Sequence, residues 1–246
     1  MTGKELSHIL DELGGLTEYI YLHVMGEPLL HPELKTLIDL AASRGFKCAV
    51  TTNGTLLSAR GGELLDSGVY KVNLSVHSFE DGEESEYVAY INSITDFADK
   101  ASEKGILTVI RLWNLGHDGG RNARTLDMLR ARFPEEWCEG KRGARIRHKL
   151  HLEYGERFDW PDSEADFLGD EVFCYGLRDH FGILSDGTVV PCCLDREGVI
   201  SLGNVFKTPL SEILSSERAV AICRGFDKRE ATEELCKKCG YARRFK

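Results

Sequence analysis

Between residues 19 and 154 the chain alternates short runs of strand-forming residues with helical stripes, and few folds accommodate that pattern. YIYLHVM (19–25), FKCAVTT (46–52), YKVNLSV (70–76), ILTVIRLW (106–113) and the stretch 148–154 read as strands. Between them, Leu34, Leu37, Ile38 and Ala41 recur at helical spacing, as do Val88, Ile91, Ile94, Ala98 and Ala101, and then Ala123, Leu126, Leu129 and Phe133. Gly45 and Gly105 stop two of these helices and Pro134 stops a third. An earlier helix opens with a Thr2–Glu5 capping box and stripes Leu6, Ile9, Leu10 and Leu13. Strands separated by helices make βα units with a parallel sheet. Right-handed crossovers coil such a sheet toward a full or partial barrel, so the fold class is α/β.

The pattern changes after the acidic stretch 156–170, which reads as a linker. It separates a βα segment, 1–155, from a small C-terminal segment, 171–246. There, 181–184 and 188–191 flank Ser185-Asp186-Gly187 as a β-hairpin, and a helix is expected over 209–223. Cys192, Cys193, Cys223, Cys236 and Cys239 crowd this end. The N-terminus has no apolar signal region, no run of about 18 apolar residues occurs, and a cytoplasmic, membrane-free protein is expected. In a reducing compartment such a cysteine group binds metal rather than forming disulfides. Cys236-x2-Cys239 sets two thiolates on one turn, and Cys174 and Cys192 complete a set of four, which suits either a [4Fe–4S] cluster or a structural zinc. Cys193, next to a strand-end ligand, is expected to face the other way as a packed thiol. Cys223 lies on the expected helix, outside the set of four but open to substituting as a ligand; Cys48 is expected as a buried structural thiol and Cys138 as a loop thiol. The net charge of −9 speaks against a nucleic-acid surface, and the basic run 141–149 reads as a solvated face.

The order Cys174-x12-Gly187-x4-Cys192, then Leu202-Gly203-Asn204-Val205, then Cys236-x2-Cys239, resembles the SPASM or twitch extension of radical S-adenosylmethionine (SAM) proteins. The resemblance implies one auxiliary [4Fe–4S] cluster held by Cys174, Cys192, Cys236 and Cys239. The βα segment carries matching features. Gly26-Glu27-Pro28 follows the first strand where the family has a GGEP-like motif for the SAM amino group, with Met25 replacing the first glycine. Asn53, in Thr51-Thr52-Asn53-Gly54, resembles the family's turn after the next strand. Ser75, His77 and Arg111 stand at strand ends where the family meets SAM. Each has a blander reading: a solvated turn for Gly26-Glu27-Pro28, a left-handed turn for Asn53-Gly54, a rim residue for His77, and a core-edge histidine for His23.

By this resemblance the fold is a partial (β/α) TIM-like barrel lacking its first strand, plus a small C-terminal β-hairpin and helix iron–sulfur domain. The function implied is that of a radical SAM oxidoreductase or maturase. Such a protein abstracts hydrogen from a peptide or small-molecule substrate, takes electrons from a flavodoxin or ferredoxin, and uses its auxiliary cluster for electron transfer. The sequence contains no C-x3-C-x2-C loop. A catalytic [4Fe–4S] cluster is therefore expected only if an N-terminal segment supplies one, and without it the chain is expected to be inactive. The contrasting expectation is a non-catalytic binding or scaffold protein with a zinc-stabilised four-cysteine tail.

Overall fold

The computed structural model describes residues 1–23, 25–79 and 82–245. The chain divides into two compact units, Thr17–Arg157 and a second assembled from Met1–Leu16 and Phe158–Lys246. The opening helix α1 (Gly3–Glu12), which the sequence reading places with the βα segment, therefore belongs to the second unit. Residues 158–170, expected as linker, belong there too. Among the described residues no helix is long and apolar enough to cross a membrane.

The first unit is a mixed sheet with helices between its parallel strands. In chain order it comprises β1 (Tyr19–Tyr21), α2 (Leu34–Ser43), β2 (Lys47–Thr52), α3 (Leu57–Leu65), β3 (Lys71–Ser75), α4 (Glu84–Glu103), β4 (Leu107–Leu115), α5 (Arg121–Arg132), β5 (Cys138–Gly140), β6 (Gly143–Arg147) and β7 (Leu150–Glu156). The strand order is β1-β2-β3-β4-β7-β6-β5, parallel from β1 through β4 to β7 and antiparallel beyond. The sheet is open, as a partial barrel is, with β1 and β5 at its edges.

Sequential parallel strands joined by right-handed crossovers send α2, α3 and α4 to one face. Alternation then sorts the side chains. Cys48, Val50, Val72, Leu74, Ile110, Leu112, Leu150 and Leu152 are buried on the helix side, as are Ile38, Leu64, Ile91, Ile94 and Leu129 from the helices. The opposite face carries Tyr21, Thr51, Lys71, Asn73, Ser75, Arg111, Trp113, His151 and Glu153. Strand register brings Thr51 beside Asn73, Ser75 beside Arg111, and Arg111 beside Glu153. One side of the sheet is thus an apolar core and the other a polar surface.

Two differences from the sequence reading have local causes. The first strand ends at Tyr21 rather than residue 25, because Gly26 turns the chain with φ +92 just before Pro28; Val24, inside the expected strand, lies outside the described residues. The run 141–149 is no uniform solvated face. It folds into β6, which buries Ala144 and Ile146. Arg147 donates to Ser102 Oγ at 3.1 Å and to Asp99 O at 3.1 Å, and also pairs with the Asp99 carboxylate.

The second unit contains β8 (Gly182–Ile183), β9 (Thr188–Val190), β10 (Gly203–Asn204), α6 (Leu210–Leu214), α7 (Glu217–Asp227) and α8 (Glu234–Lys237). Its three-stranded sheet runs β10-β9-β8, all antiparallel. The expected hairpin turn is present: Gly187 takes φ +87 and its amide donates to Leu184 O at 2.9 Å. Phe206 packs against the hydrogen face of Gly187, so any side chain there collides with the ring. Asn204 Nδ2 ties β10 to the turn through Asp186 O at 2.8 Å. The single helix expected over 209–223 is two, because Ser216 stops α6 and caps α7 by accepting from Ala219 N at 3.3 Å. The helix α1 docks here: Glu12 Oε2 accepts from Leu210 N at 2.7 Å, and a ring nitrogen of His8 lies 3.1 Å from Val205 O.

Glycine and histidine give direct tests of the first unit. Gly54 has φ +79 and sits against Ile94 Cδ1, whereas Gly45 has φ +88 with open space around it. Gly45→Ala should cost only left-handed strain, about 1–2 kcal/mol. Gly54→Ala should cost about 1–3 kcal/mol more through overpacking; equal urea midpoints for the two variants would contradict this packing. His23 has a buried Nδ1 with no hydrogen-bond partner among the described residues. Burial, and then the Arg111 charge, pull its pKa from 6.5 to about 4. The folded chain resists a proton that the unfolded chain accepts, so this contribution to stability is complete above pH 6.5 and is lost as pH falls toward about 4. The loss is at most about 3 kcal/mol. His23→Asn should flatten this part of the pH profile in urea denaturation, and an unchanged profile would refute the assignment.

Candidate iron–sulfur centre and strand-end cradle

The second unit closes over a core of Val172, Ile200, Ile222, Phe226, Ala231, Leu235 and Ala242, and Cys174, Cys236 and Cys239 pack against it. Each cysteine arrives from a different kind of local structure. Cys174 follows an extended stretch pinned by Val172 N to Arg229 O at 2.8 Å. Cys192 lies in the bend just after β9. Cys236 sits in α8, and the amide of Cys239 returns to Cys236 O at 3.3 Å, so both lie on one turn. Gly176 keeps the first two segments close: a Cβ there would stand 3.7 Å from both Cys174 Sγ and Cys192 Cβ.

Burial and neighbouring thiols shape the ionisation of the set. Burial raises the pKa of Cys236, and Cys192, Cys174 and Cys239 each raise it further. Cys192 is pushed up to about 12, by burial first and then by Cys193 and Cys174. Burial also raises Cys174 and Cys239. Backbone amides pull the other way at three of the sulfurs: Gly176 and Tyr175 at Cys174, Leu194 and Asp195 at Cys192, and Ala242 and Tyr241 at Cys239. The Gly176 amide lies 3.4 Å from Cys174 Sγ. A thiol is a weak acceptor and a thiolate a good one, so amides aimed at sulfur suit bound thiolates. All eight cysteines are free of disulfides. Soft thiolate donors, mutual repulsion that a cation would relieve, and amides on sulfur fit an iron–sulfur cluster. Among the described residues no group of three or more His, Cys, Asp or Glu side chains is arranged to hold a metal ion.

The remaining cysteines separate cleanly. Cys48 is fully buried in β2 and its pKa rises to about 11, as a structural thiol's should. Cys138 is exposed, on β5 rather than in a loop. Cys223 is on α7, where Asp227 is the charge acting on it. Cys193 is half-buried, in the bend at residues 191–194 just after β9.

In the first unit the strand-end residues form two groups. Glu27 starts the turn Pro28–Leu30, with Oε1 accepting from Leu29 N at 3.0 Å and Oε2 from Asn53 N at 2.8 Å. Its carboxylate thus braces the loop after β1 to the loop after β2. The Asn53 side chain is occupied in its own turn, accepting from Thr55 N at 2.9 Å, while Tyr90 Oη donates to Asn53 O at 2.6 Å. Arg60, which sequence reasoning passed over, supports the Gly26-Glu27-Pro28 loop by donating to Leu29 O and to His31 O. The second group is Ser75, His77 and Arg111. His77 Nδ1 lies 3.1 Å from Arg111 O, and Arg111 pairs with Glu153 at 3.3 Å and stacks 4.6 Å from the Trp113 ring centroid. His77 also lines a cleft of about 260 Å³ with Phe79, Asn114, Asp118 and Arg121. Glu153 and Trp113 carry no motif and are brought in by strand register alone.

Residues 174–240 match the SPASM family, an iron–sulfur cluster-binding domain. A probable GTP 3′,8-cyclase of Sulfolobus acidocaldarius is 41% identical over 56 residues, 22% of this chain and 18% of that protein. The chain thus spans less than a fifth of the curated relative's length. Among solved structures, BtrN in complex with AdoMet and 2-DOIA aligns with a TM-score of 0.57 at 16% identity, covering 97% of this chain and 80% of that one. Streptococcus suis SuiB aligns with a TM-score of 0.50 at 15% identity, covering 98% and 64%. The chain shares the fold of BtrN and SuiB, and its residues 174–240 match the SPASM iron–sulfur cluster-binding domain.

Proposed function

We propose that this chain is the body of a radical SAM oxidoreductase or maturase, with SAM cradled at the strand ends and an auxiliary [4Fe–4S] cluster in the C-terminal unit. What supports the reading is the SPASM match over residues 174–240, which contains Cys174, Cys192, Cys236 and Cys239, with backbone amides directed at three of their sulfurs. SAM and the clusters supply hydrogen abstraction and one-electron transfer when bound. The chain's own residues bind, orient and shield.

Four cysteine ligands leave no open iron, so this site passes electrons and does not bind substrate. The two-electron oxidation of a peptide or small molecule fits such a site, with an electron carrier such as flavodoxin or ferredoxin as partner. At the strand ends, Gly26, Glu27 and Pro28 offer backbone groups to the amino end of SAM. Asn53 shapes the adjoining turn, and Ser75, His77 and Arg111 meet the carboxylate or ribose. Arg111 is held for this by Glu153 and Trp113, which fix its guanidinium. The polar sheet face below, with Lys71, Asn73 and His151, is the surface a substrate would reach. Turnover needs a C-x3-C-x2-C loop, which these residues do not contain.

Anaerobic reconstitution of the chain with ferrous iron and sulfide should give a brown protein with about four irons and four sulfides. Cys236→Ala and Cys239→Ala should each lose most of that iron. A colourless protein that retains zinc and rejects iron would overturn the reading in favour of a zinc-stabilised tail. Separately, Arg111→Gln should weaken SAM binding in equilibrium dialysis by about tenfold, the loss of one charge-assisted hydrogen bond, with iron content unchanged. Equal SAM affinity in the two proteins would remove Arg111 from the cradle.

A further inference from the structure

Strand register sets the polar face of the first unit's sheet in rows. One row runs Thr51, Asn73, Val109, His151 and Arg145 across β2, β3, β4, β7 and β6, each residue the register partner of the next. Two residues further along the parallel strands, at their C-terminal ends, Ser75, Arg111 and Glu153 form the row above. Two residues the other way, Ala49, Lys71 and Leu107 form the row below. Neighbouring strands lie about 4.8 Å apart and alternate residues along a strand about 6.6 Å apart, so the three rows make one patch that a small molecule can cover.

Charge on this patch is one-sided. Lys71, Arg111 and Arg145 stand on it, and the one carboxylate in the three rows, Glu153, is drawn onto Arg111 at 3.3 Å. Lys71 is half-buried, and among the described residues it has no hydrogen bond or ion pair. Burial first, and then the Arg111 charge, hold its amine below the ordinary lysine pKa, and Glu153 pulls the other way without offsetting them. His151, also half-buried, is lowered by burial and then by Arg145 and Lys71. Asn73 spends its Nδ2 on Thr51 Oγ1 at 3.1 Å, so the donors left on this part of the face are those of Lys71, His151 and Arg145. A half-buried ammonium without a partner costs stability, and a face that served only to close a core would carry an apolar residue there.

We infer that this patch takes the oxyanion of the substrate, a carboxylate or a phosphate, held between Lys71 and His151 with Arg145 at the rim. The inference rests on the reading of this face as the substrate's side of the strand-end cradle. Lys71 supplies the charge that nothing else on the face balances, and its flexible stem lets the ammonium meet an oxyanion of either geometry. His151 donates one ring N–H to the same group. Arg145, exposed at the far end of its row, draws the anion in from solvent. The Lys71 and His151 rows lie about 7–13 Å below Ser75 and Arg111, a depth that leaves the strand ends to SAM. Arg111 is excluded from the anion site because Glu153 already neutralises it.

The test titrates the full chain, labelled with nitrogen-15, with inorganic phosphate and separately with acetate at constant ionic strength. Amide shifts near Lys71 and His151 should saturate, and the anion that binds more tightly tells phosphate from carboxylate. Lys71→Met, which keeps the aliphatic stem and removes the charge, should weaken that binding about tenfold, the loss of one charge-assisted hydrogen bond. It should also raise the urea midpoint, since an unpaired half-buried charge is gone. Lys104→Met, at a lysine paired with Asp66 at 2.8 Å, should leave the affinity unchanged. No saturable shift with either anion, equal affinity in Lys71→Met, or a lowered midpoint in that variant overturns the inference. Should Lys71→Met fail to fold, wild type decides: a saturating anion should protect Lys71, and not Lys104, from reductive methylation read by peptide mass spectrometry, and equal labelling overturns the inference. Dialysis against SAM separates the two claims. Lys71→Met should bind SAM as wild type does, and wild type that binds the anion but no SAM would sink the cradle and leave the anion site standing.

Discussion

The half-buried thiols of Cys174, Cys192, Cys236 and Cys239 are the constraint on which the proposed role of the C-terminal unit depends. Without a cation they repel as they ionise, and burial holds their protons on; Cys192 rises to about 12. The surrounding structure nevertheless spends backbone amides on their sulfurs, an arrangement that favours thiolates. The conflict disappears once a cationic iron–sulfur core takes the centre. The unit's own sheet is only three short strands, and its helices α6 and α8 are single turns. A small core of this kind gains much from a cluster that ties the hairpin end to the tail.

The first unit follows from a different constraint, the handedness of its crossovers. With α2, α3 and α4 sent to one side, the other side of the parallel sheet is left to polar residues. Loops after successive strands then accumulate at one end, where Glu27 braces two of them and Arg111 is fixed by Glu153 and Trp113. Such an end is where βα folds place their chemistry. The fully buried Asn73 on this face, and the buried Nδ1 of His23 just after β1, mark the region as more than a solvated surface.

Local signals were legible where one residue type had one physical use. The Thr2 capping box, the Asp186-Gly187 turn, the helix stop at Gly45 and the pairing of Cys236 with Cys239 are all present. Less legible were features set by tertiary contact. The strand β6 hides in a basic run, because Arg145 and Arg147 alternate with Ala144 and Ile146 over too few residues for the period to stand out. The helix α1 has an ordinary amphipathic stripe, and nothing in that stripe says that Glu12 caps α6. Spacing alone groups Cys174, Cys192, Cys236 and Cys239 in the sequence, whereas Glu153 and Arg60 enter the strand-end group only through register and loop support.

The most direct measurement is an anaerobic crystal structure of the reconstituted chain with anomalous data on both sides of the iron edge. The account expects an iron peak bounded by the sulfurs of Cys174, Cys236, Cys239 and the bend at Cys192. Iron bound elsewhere, or those sulfurs closed around a single zinc ion, would contradict it.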